Sequence, residues 1–122
     1  MRLFASVMFV ASLTVSTASQ ATLLWSPCQT IIGVVHEPIG SNGNLLLTLS
    51  PGITGCSAAG ITGSVEFMIG QDGVTLDYLG GFLASSLSAN ATGKTVQITY
   101  DNTSSNCYAT AIAVGGTNGQ CP

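Results

Sequence analysis

One stretch of the chain departs from the strand-like pattern of its surroundings, and this stretch decides the fold. Between residues 75 and 91, leucines recur at steps of three, four and four. The leucines concerned are Leu76, Leu79, Leu83 and Leu87. On a helix this spacing places the leucines in one stripe. In a strand, whose side chains alternate between two faces, it would divide them between both faces. Thr75 is a favourable N-cap, and Gly93 suits the left-handed residue that ends many helices. The sequence therefore predicts a helix over 75–91, packed through its leucine stripe.

The segments on either side of this stretch predict short strands. Five segments are rich in β-branched and apolar residues: 29–36, 44–50, 63–69, 94–100 and 108–114. Asn42-Gly43, between the first two, is a strong hairpin signal. In 63–69, apolar residues alternate with polar ones, which places Glu66 on the face nearer water.

The order of these elements indicates the architecture. Three strands, one helix and two further strands predict a mainly β fold with one helix, an OB-fold-like small barrel of five strands. The alternative is an all-β sandwich, because Gly80 and Gly81 weaken the helix propensity of the central stretch.

Four cysteines add a covalent constraint. Cys28, Cys56, Cys107 and Cys121 form an even set in a short chain, which predicts two disulfides. A zinc site is disfavoured because the cysteines do not occur in close pairs. Three pairings are open, and Cys28–Cys56 with Cys107–Cys121 is preferred because each bridge then stays within one half of the chain.

The first residues have the pattern of a leader. Met1 and Arg2 precede an apolar run, and small residues follow up to Ala21. This predicts a signal peptide over 1–21, with cleavage after Ala18 or Ser19 as the alternatives, and a single disulfide-bonded domain over 22–122. The apolar run is too short to span a bilayer, so we expect a secreted or periplasmic protein without membrane insertion.

The charge of the predicted domain excludes several partners. Lys94 stands alone against five carboxylates, which gives residues 22–122 a net charge of −4. The acidic residues are Glu37, Glu66, Asp72, Asp77 and Asp101. Neutralising phosphates requires lysine and arginine, so we expect no nucleic acid and no anionic membrane as a partner.

The sequence offers little for catalysis. His36 is the only histidine and follows a predicted strand without an evident orienting partner, so no catalytic residue is assigned. No spacing indicates a metal site or a phosphate-binding loop, so we assign no metal-binding or cofactor-binding residue and expect no cofactor. Trp25 is expected to pack beside Cys28, and the alternative is a platform on which a sugar ring stacks. Tyr78 and Phe82 are expected to touch on a second helical face.

The second half of the domain has a pattern found elsewhere. An apolar helix ends in small residues and Thr92-Gly93-Lys94, an alternating strand follows, and a cysteine pair comes late. The positions that carry this pattern are Leu87, Ala89, Ala91, Val96, Ile98, Tyr100, Cys107 and Cys121. In these features, residues 77–114 resemble small secreted bacterial proteins shaped like the binding (B) subunits of AB-type pentameric toxins, such as those of subtilase cytotoxin and typhoid toxin. The resemblance implies an OB-fold, a homopentamer and recognition of a cell-surface glycan, and it assigns no sugar-contacting residue here.

Two functions follow as expectations. The first is a secreted, non-catalytic binding module, a toxin B-subunit-like protein that recognises carbohydrate. The alternative is a structural or interaction protein of the cell envelope that assembles with itself or with a larger secreted partner and binds no small ligand. An enzyme is the least favoured class.

Overall fold

The computed structural model describes residues 23–37 and 44–122, so the predicted leader and the Asn42-Gly43 turn lie outside the described residues. The chain is mainly β with one helix, as predicted. The elements are β1 (Leu23–Trp25), β2 (Thr30–His36), β3 (Asn44–Ser50), β4 (Val65–Met68), α1 (Leu76–Thr92), β5 (Val96–Asp101) and β6 (Ala109–Val114), with 3₁₀ turns at Ala58–Gly60 and Thr117–Gly119. All five predicted strands are present, and β1 is an additional one. With three residues, β1 is too short to show the alternation by which strands are recognised in a sequence.

The strands form two antiparallel sheets of three strands each, with the orders β1-β5-β6 and β2-β3-β4. Two isolated residue pairs link the sheets. Gln29, just before β2, pairs with Val96 of β5, and Glu66 of β4 pairs with Tyr108, just before β6. Each link is one residue pair long, so the sheets meet at two places without forming a continuous closed barrel.

Both ends of α1 agree with the sequence prediction. The Tyr78 N–H donates to the Thr75 hydroxyl at 3.4 Å, and Gly93 ends the helix with φ of +68°. The helix therefore has a side-chain cap at its start and a left-handed glycine at its end. A helix here also removes the strands that the sandwich alternative needed in this stretch.

The predicted leucine stripe is only partly correct. Leu79 is buried and Leu83 partly buried, but Leu76 and Leu87 are 51% and 50% exposed. The buried positions of α1 are Leu79, Ser86 and Ala89. Small side chains let the helix lie close to the sheet, and the Ser86 hydroxyl is satisfied within the helix because it donates to the Phe82 carbonyl at 2.7 Å.

A second hydrogen bond ties the helix to the sheet. The Asn90 side-chain amide donates to the Ile31 carbonyl of β2 at 2.9 Å. This contact and the small buried residues orient α1, and they turn Leu87 toward solvent.

One core joins both sheets and the helix. Its fully buried side chains include Leu45, Leu47, Val65, Phe67, Val96 and Ile98. Strand β4 is buried on both faces, so the prediction that Glu66 lies near water is wrong. Glu66 is 8% exposed because the segment before β6 covers it, with the Glu66 N–H donating to the Cys107 carbonyl at 3.5 Å.

The two disulfides are present, but the preferred pairing is wrong. Cys28 is bonded to Cys121 and Cys56 to Cys107, across 93 and 51 residues of sequence. The preference for Cys28–Cys56 and Cys107–Cys121 assumed that neighbours in sequence would be neighbours in space. The β1–β5 pairing and the two isolated residue pairs bring together segments that are distant in sequence, and the disulfides lie beside these contacts.

Backbone hydrogen bonds show how each pair is brought together. The Gly115 N–H donates to the Thr95 carbonyl at 2.7 Å and the Cys121 N–H to the Gly115 carbonyl at 2.9 Å, so the tail returns to the start of β5. The Gln29–Val96 bridge places the residue after Cys28 beside the same start. At the other bridge, the Ser57 N–H donates to the Ser105 carbonyl at 2.7 Å, beside Cys56 and Cys107.

Candidate functional site

A cleft of about 220 Å³ opens where the start of α1, the turn that precedes it and strand β6 meet. Its lining residues are Asp72, Gly73, Val74, Tyr78, Phe82 and Thr110. This lining combines aromatic rings, a carboxylate and a hydroxyl, which is the mixture expected of a ligand site.

A second cavity, of about 270 Å³, lies against the connection between β3 and β4. Its lining residues are Pro51, Gly52, Ile53, Thr54, Gly55, Thr62 and Gly63. It contains neither an aromatic nor a titratable side chain. The first cavity is therefore the candidate site.

A tight turn places Asp72 at the rim of the cleft. The Gly70 N–H donates to the Val74 carbonyl at 2.9 Å, and the Val74 N–H donates to the Gln71 carbonyl at 3.0 Å. Asp72 itself has φ of +49°, in the left-handed region that aspartate tolerates better than most residues. The turn thus holds the exposed Asp72 carboxylate where a ligand could reach it.

The aromatic wall of the cleft comes from one face of α1. The rings of Tyr78 and Phe82 are stacked with centroids 6.4 Å apart and planes at 22°, which confirms the predicted contact. Phe82 also packs on the fully buried Phe67, at 4.5 Å between centroids. Tyr78 is 62% exposed, so the wall consists of one accessible ring backed by two rings that are anchored in the core.

A β-bulge supplies the hydroxyl. Tyr100 pairs with Ala109, and Thr99 pairs with Ala111, so Thr110 is an extra residue on β6 without a partner in the register. Bulges commonly redirect a side chain near a binding site, and Thr110 lines the cleft. Sequence reasoning missed Thr110 because the alternation of a strand gives no sign of where an extra residue interrupts the pairing.

A second carboxylate lies behind the first. Asp101 is 6% exposed at the end of β5, and its carboxylate lies close enough to that of Asp72 for each to shift the pKa of the other. The Thr103 N–H donates to Asp101 Oδ1 at 2.8 Å, and this bond holds the pKa of Asp101 below its ordinary value despite the opposing effect of burial. Partial desolvation at the rim and, next, the charge and hydrogen bond of Asp101 raise the pKa of Asp72. As the pH falls, Asp72 therefore takes up a proton first, while Asp101 stays ionised.

The other residues considered from the sequence lie elsewhere. His36 and Glu37 are exposed at the end of β2, and Asp77 is exposed in the first turn of α1. Trp25, expected to pack, is 49% exposed on β1. Within the part of the chain that the structure describes, no three acidic, histidine or cysteine side chains are grouped to hold a metal ion.

Glu66 should show a distinct pH signature. Burial and, secondly, the negative charge of Glu37 raise the pKa of Glu66 above its value in the unfolded chain. The folded protein then holds the Glu66 proton more tightly, so this residue favours folding at low pH, and that contribution is lost as the pH rises through the folded pKa.

We expect Glu66→Gln to increase the free energy of unfolding at pH 7 relative to the parent and to leave it nearly unchanged at pH 4. Denaturant titrations at the two pH values measure this, and an equal effect at both would contradict it. Asp77→Asn is the control, because it removes an exposed carboxylate that favours the start of α1 and so should not increase the free energy of unfolding at pH 7.

No helix within residues 23–37 and 44–122 has the length and apolar character needed to cross a membrane. No protein-family model, no curated protein and no solved structure matches this chain.

Proposed function

We propose that the protein is a secreted, non-catalytic binding module that recognises carbohydrate in the cleft between α1 and β6. The observation that carries this proposal is the aromatic wall of Tyr78 and Phe82 facing polar groups of Asp72 and Thr110. A sugar ring has an apolar face, which packs well on an aromatic ring, and hydroxyls that need hydrogen-bond partners at its edge. The cleft offers both within one space.

The size of the cleft suits a small ligand unit. At about 220 Å³ it is below the roughly 300–1,000 Å³ of pockets that enclose a drug-sized molecule. A single terminal sugar residue would occupy it, and the rest of a glycan would extend into solvent. This is how we expect a module for cell-surface glycans to bind.

The carboxylate pair supports a function without catalysis. Glycosidases keep their two carboxyl groups roughly 5–9.5 Å apart, so that the scissile bond and water fit between them. Of the two neighbouring carboxylates, Asp72 lines the cleft and Asp101 lies outside the lining. The cleft lining therefore offers one carboxylate, and not the two that would flank a sugar bond to be cleaved.

The strand arrangement supports an OB-fold-like barrel. From β2 the sheet runs to β3 and β4, the Glu66–Tyr108 pair leads to β6, and β6 lies beside β5. The Gln29–Val96 pair then leads from β5 back to β2. We propose this ring of five strands, with β1 added at its edge, as the barrel, and with it the toxin B-subunit resemblance and its implied homopentamer. The two disulfides support secretion, because such bonds persist in oxidising compartments.

A single substitution tests the sugar site. We expect Tyr78→Ala to weaken binding of a glycan by at least about tenfold, because the accessible ring of the wall is lost. Leu87→Ala, at a similarly exposed position farther along α1, should bind as the parent does. The measurement is a glycan-array screen of the oxidised protein followed by calorimetric titration of the three proteins. Failure of the parent to bind any sugar, or equal binding by Tyr78→Ala, would overturn the proposal.

A different observation favours the alternative function. Strand β1 lies at the edge of its sheet with Leu23, Leu24 and Trp25 all exposed. An apolar edge strand is a ready template for pairing with another chain. Self-assembly by a protein that binds no sugar would favour a structural or interaction protein of the cell envelope over the glycan-binding module.

A further inference from the structure

We infer that the cleft selects sugars without negative charge, and that it admits neutral hexoses while rejecting sialic and uronic acids. The inference rests on the proposed carbohydrate site and assigns its ligand class. It follows from the charges that surround the cleft and from the hydrogen-bonding capacity of its polar groups.

Negative charge is built into one wall of the cleft. Asp72 lies on the rim, and Asp101 lies behind it, nearly buried and held by the Thr103 N–H at 2.8 Å. Because that bond keeps Asp101 ionised when Asp72 takes up a proton, the pair retains at least one negative charge over the ordinary pH range. A carboxylate on the ligand would meet this charge at close range.

A compensating cation is distant. Lys94 is the only lysine or arginine in residues 22–122. It follows the far end of α1, and the helical rise of about 1.5 Å per residue separates it from Tyr78 by roughly 24 Å. That distance is about three Debye lengths at physiological salt, so Lys94 cannot offset the carboxylate pair. The positive end of the α1 dipole lies nearer, but Asp77 in the first turn already offsets it.

The polar groups also match a neutral sugar. An ionised carboxylate accepts hydrogen bonds and donates none, so Asp72 needs a donor from the ligand. Sugar hydroxyls are donors, whereas a ligand carboxylate is an acceptor only. Thr110 can donate or accept and so places no further demand on the charge of the sugar.

Matched pairs of sugars test the inference. The probes are glucose against glucuronate, and a galactose-terminated oligosaccharide against its sialylated form, titrated into the oxidised protein. We expect at least about tenfold tighter binding of the neutral member of each pair. Raising the salt concentration should reduce this difference in affinity between neutral and acidic sugars in the unmodified protein, because salt screens the charge of the carboxylates. Asp72→Asn should reduce the difference in affinity further, through better binding of the acidic sugars. Glu37→Gln, which removes the same charge at the end of β2 and outside the cleft lining, should leave the difference almost unchanged.

The outcomes separate the inference from the function on which it rests. Equal or tighter binding of the acidic sugars would overturn the inference and leave the carbohydrate site intact. A neutral preference that neither salt nor Asp72→Asn changes would overturn its electrostatic basis. Binding of no sugar at all would overturn both. The salt series uses the unmodified protein, so the test holds even where a substituted chain fails to fold.

Discussion

Replacing Cys28 and Cys121 together by alanine will lower the free energy of unfolding by about 4–5 kcal/mol, the value of a cross-link that closes so long a loop. The bond spans 93 residues of sequence, so its loss releases almost the whole domain in the unfolded state. Domains of this size have a total stability of roughly 5–15 kcal/mol. The variant should therefore be marginally folded, with a melting temperature lower by about 15–30 °C.

Denaturant and thermal unfolding of the oxidised proteins measure this effect. The matched control is the double replacement of Cys56 and Cys107, whose bond spans 51 residues. Its expected cost is slightly smaller, at about 4 kcal/mol. Peptide mapping without reduction should link Cys28 to Cys121, and a peptide that links Cys28 to Cys56 would contradict the pairing on which the prediction depends.

Leu79→Ala will be the most destabilising alanine substitution among the leucines of α1, at about 2.5–5 kcal/mol. Leu79 is 1% exposed, within the core shared by the helix and both sheets, so truncation leaves a cavity that the surroundings cannot fully close. Leu87→Ala, at a position 50% exposed, should cost less than about 1 kcal/mol. Both variants remove the same atoms from the same helix, so the difference between them reports burial alone.

Equilibrium unfolding in urea gives the two values directly. The contrast distinguishes the orientation of α1 in the structure from that of the leucine stripe, in which both side chains would pack. Comparable losses of stability at Leu79 and Leu87 would mean that the helix packs on the stripe, and the burial of Ser86 and Ala89 described above would then be incorrect.

Local features of the fold could be predicted from the sequence because they depend on neighbouring residues. Thr75 and Gly93 mark the ends of the helix in the sequence, and short segments rich in β-branched and apolar residues mark the strands. The Tyr78–Phe82 contact followed from a spacing of four on a helix. These predictions required no knowledge of which strand lies beside which.

Features that depend on remote segments could not be predicted in this way. Glu66 looked like a surface residue because alternation indicates two faces, but only the full topology shows that a later segment covers the second face. The cleft, too, is formed by segments that are remote in sequence. Asp72 and Asp101 are 29 residues apart in sequence and meet because a turn before α1 lies beside the end of β5.

The disulfides have a nested order, with the Cys56–Cys107 bond inside the loop that Cys28–Cys121 closes. A ribosome makes the chain from its N-terminus, so Cys28 and then Cys56 are synthesised before either native partner exists. In an oxidising compartment these two thiols would pair with each other first, and the mispaired bond would have to be exchanged before the sheets could close around it. Disulfide exchange takes seconds to hours, depending on the oxidant and on an isomerase, so we expect a disulfide isomerase to speed the oxidative folding of this chain.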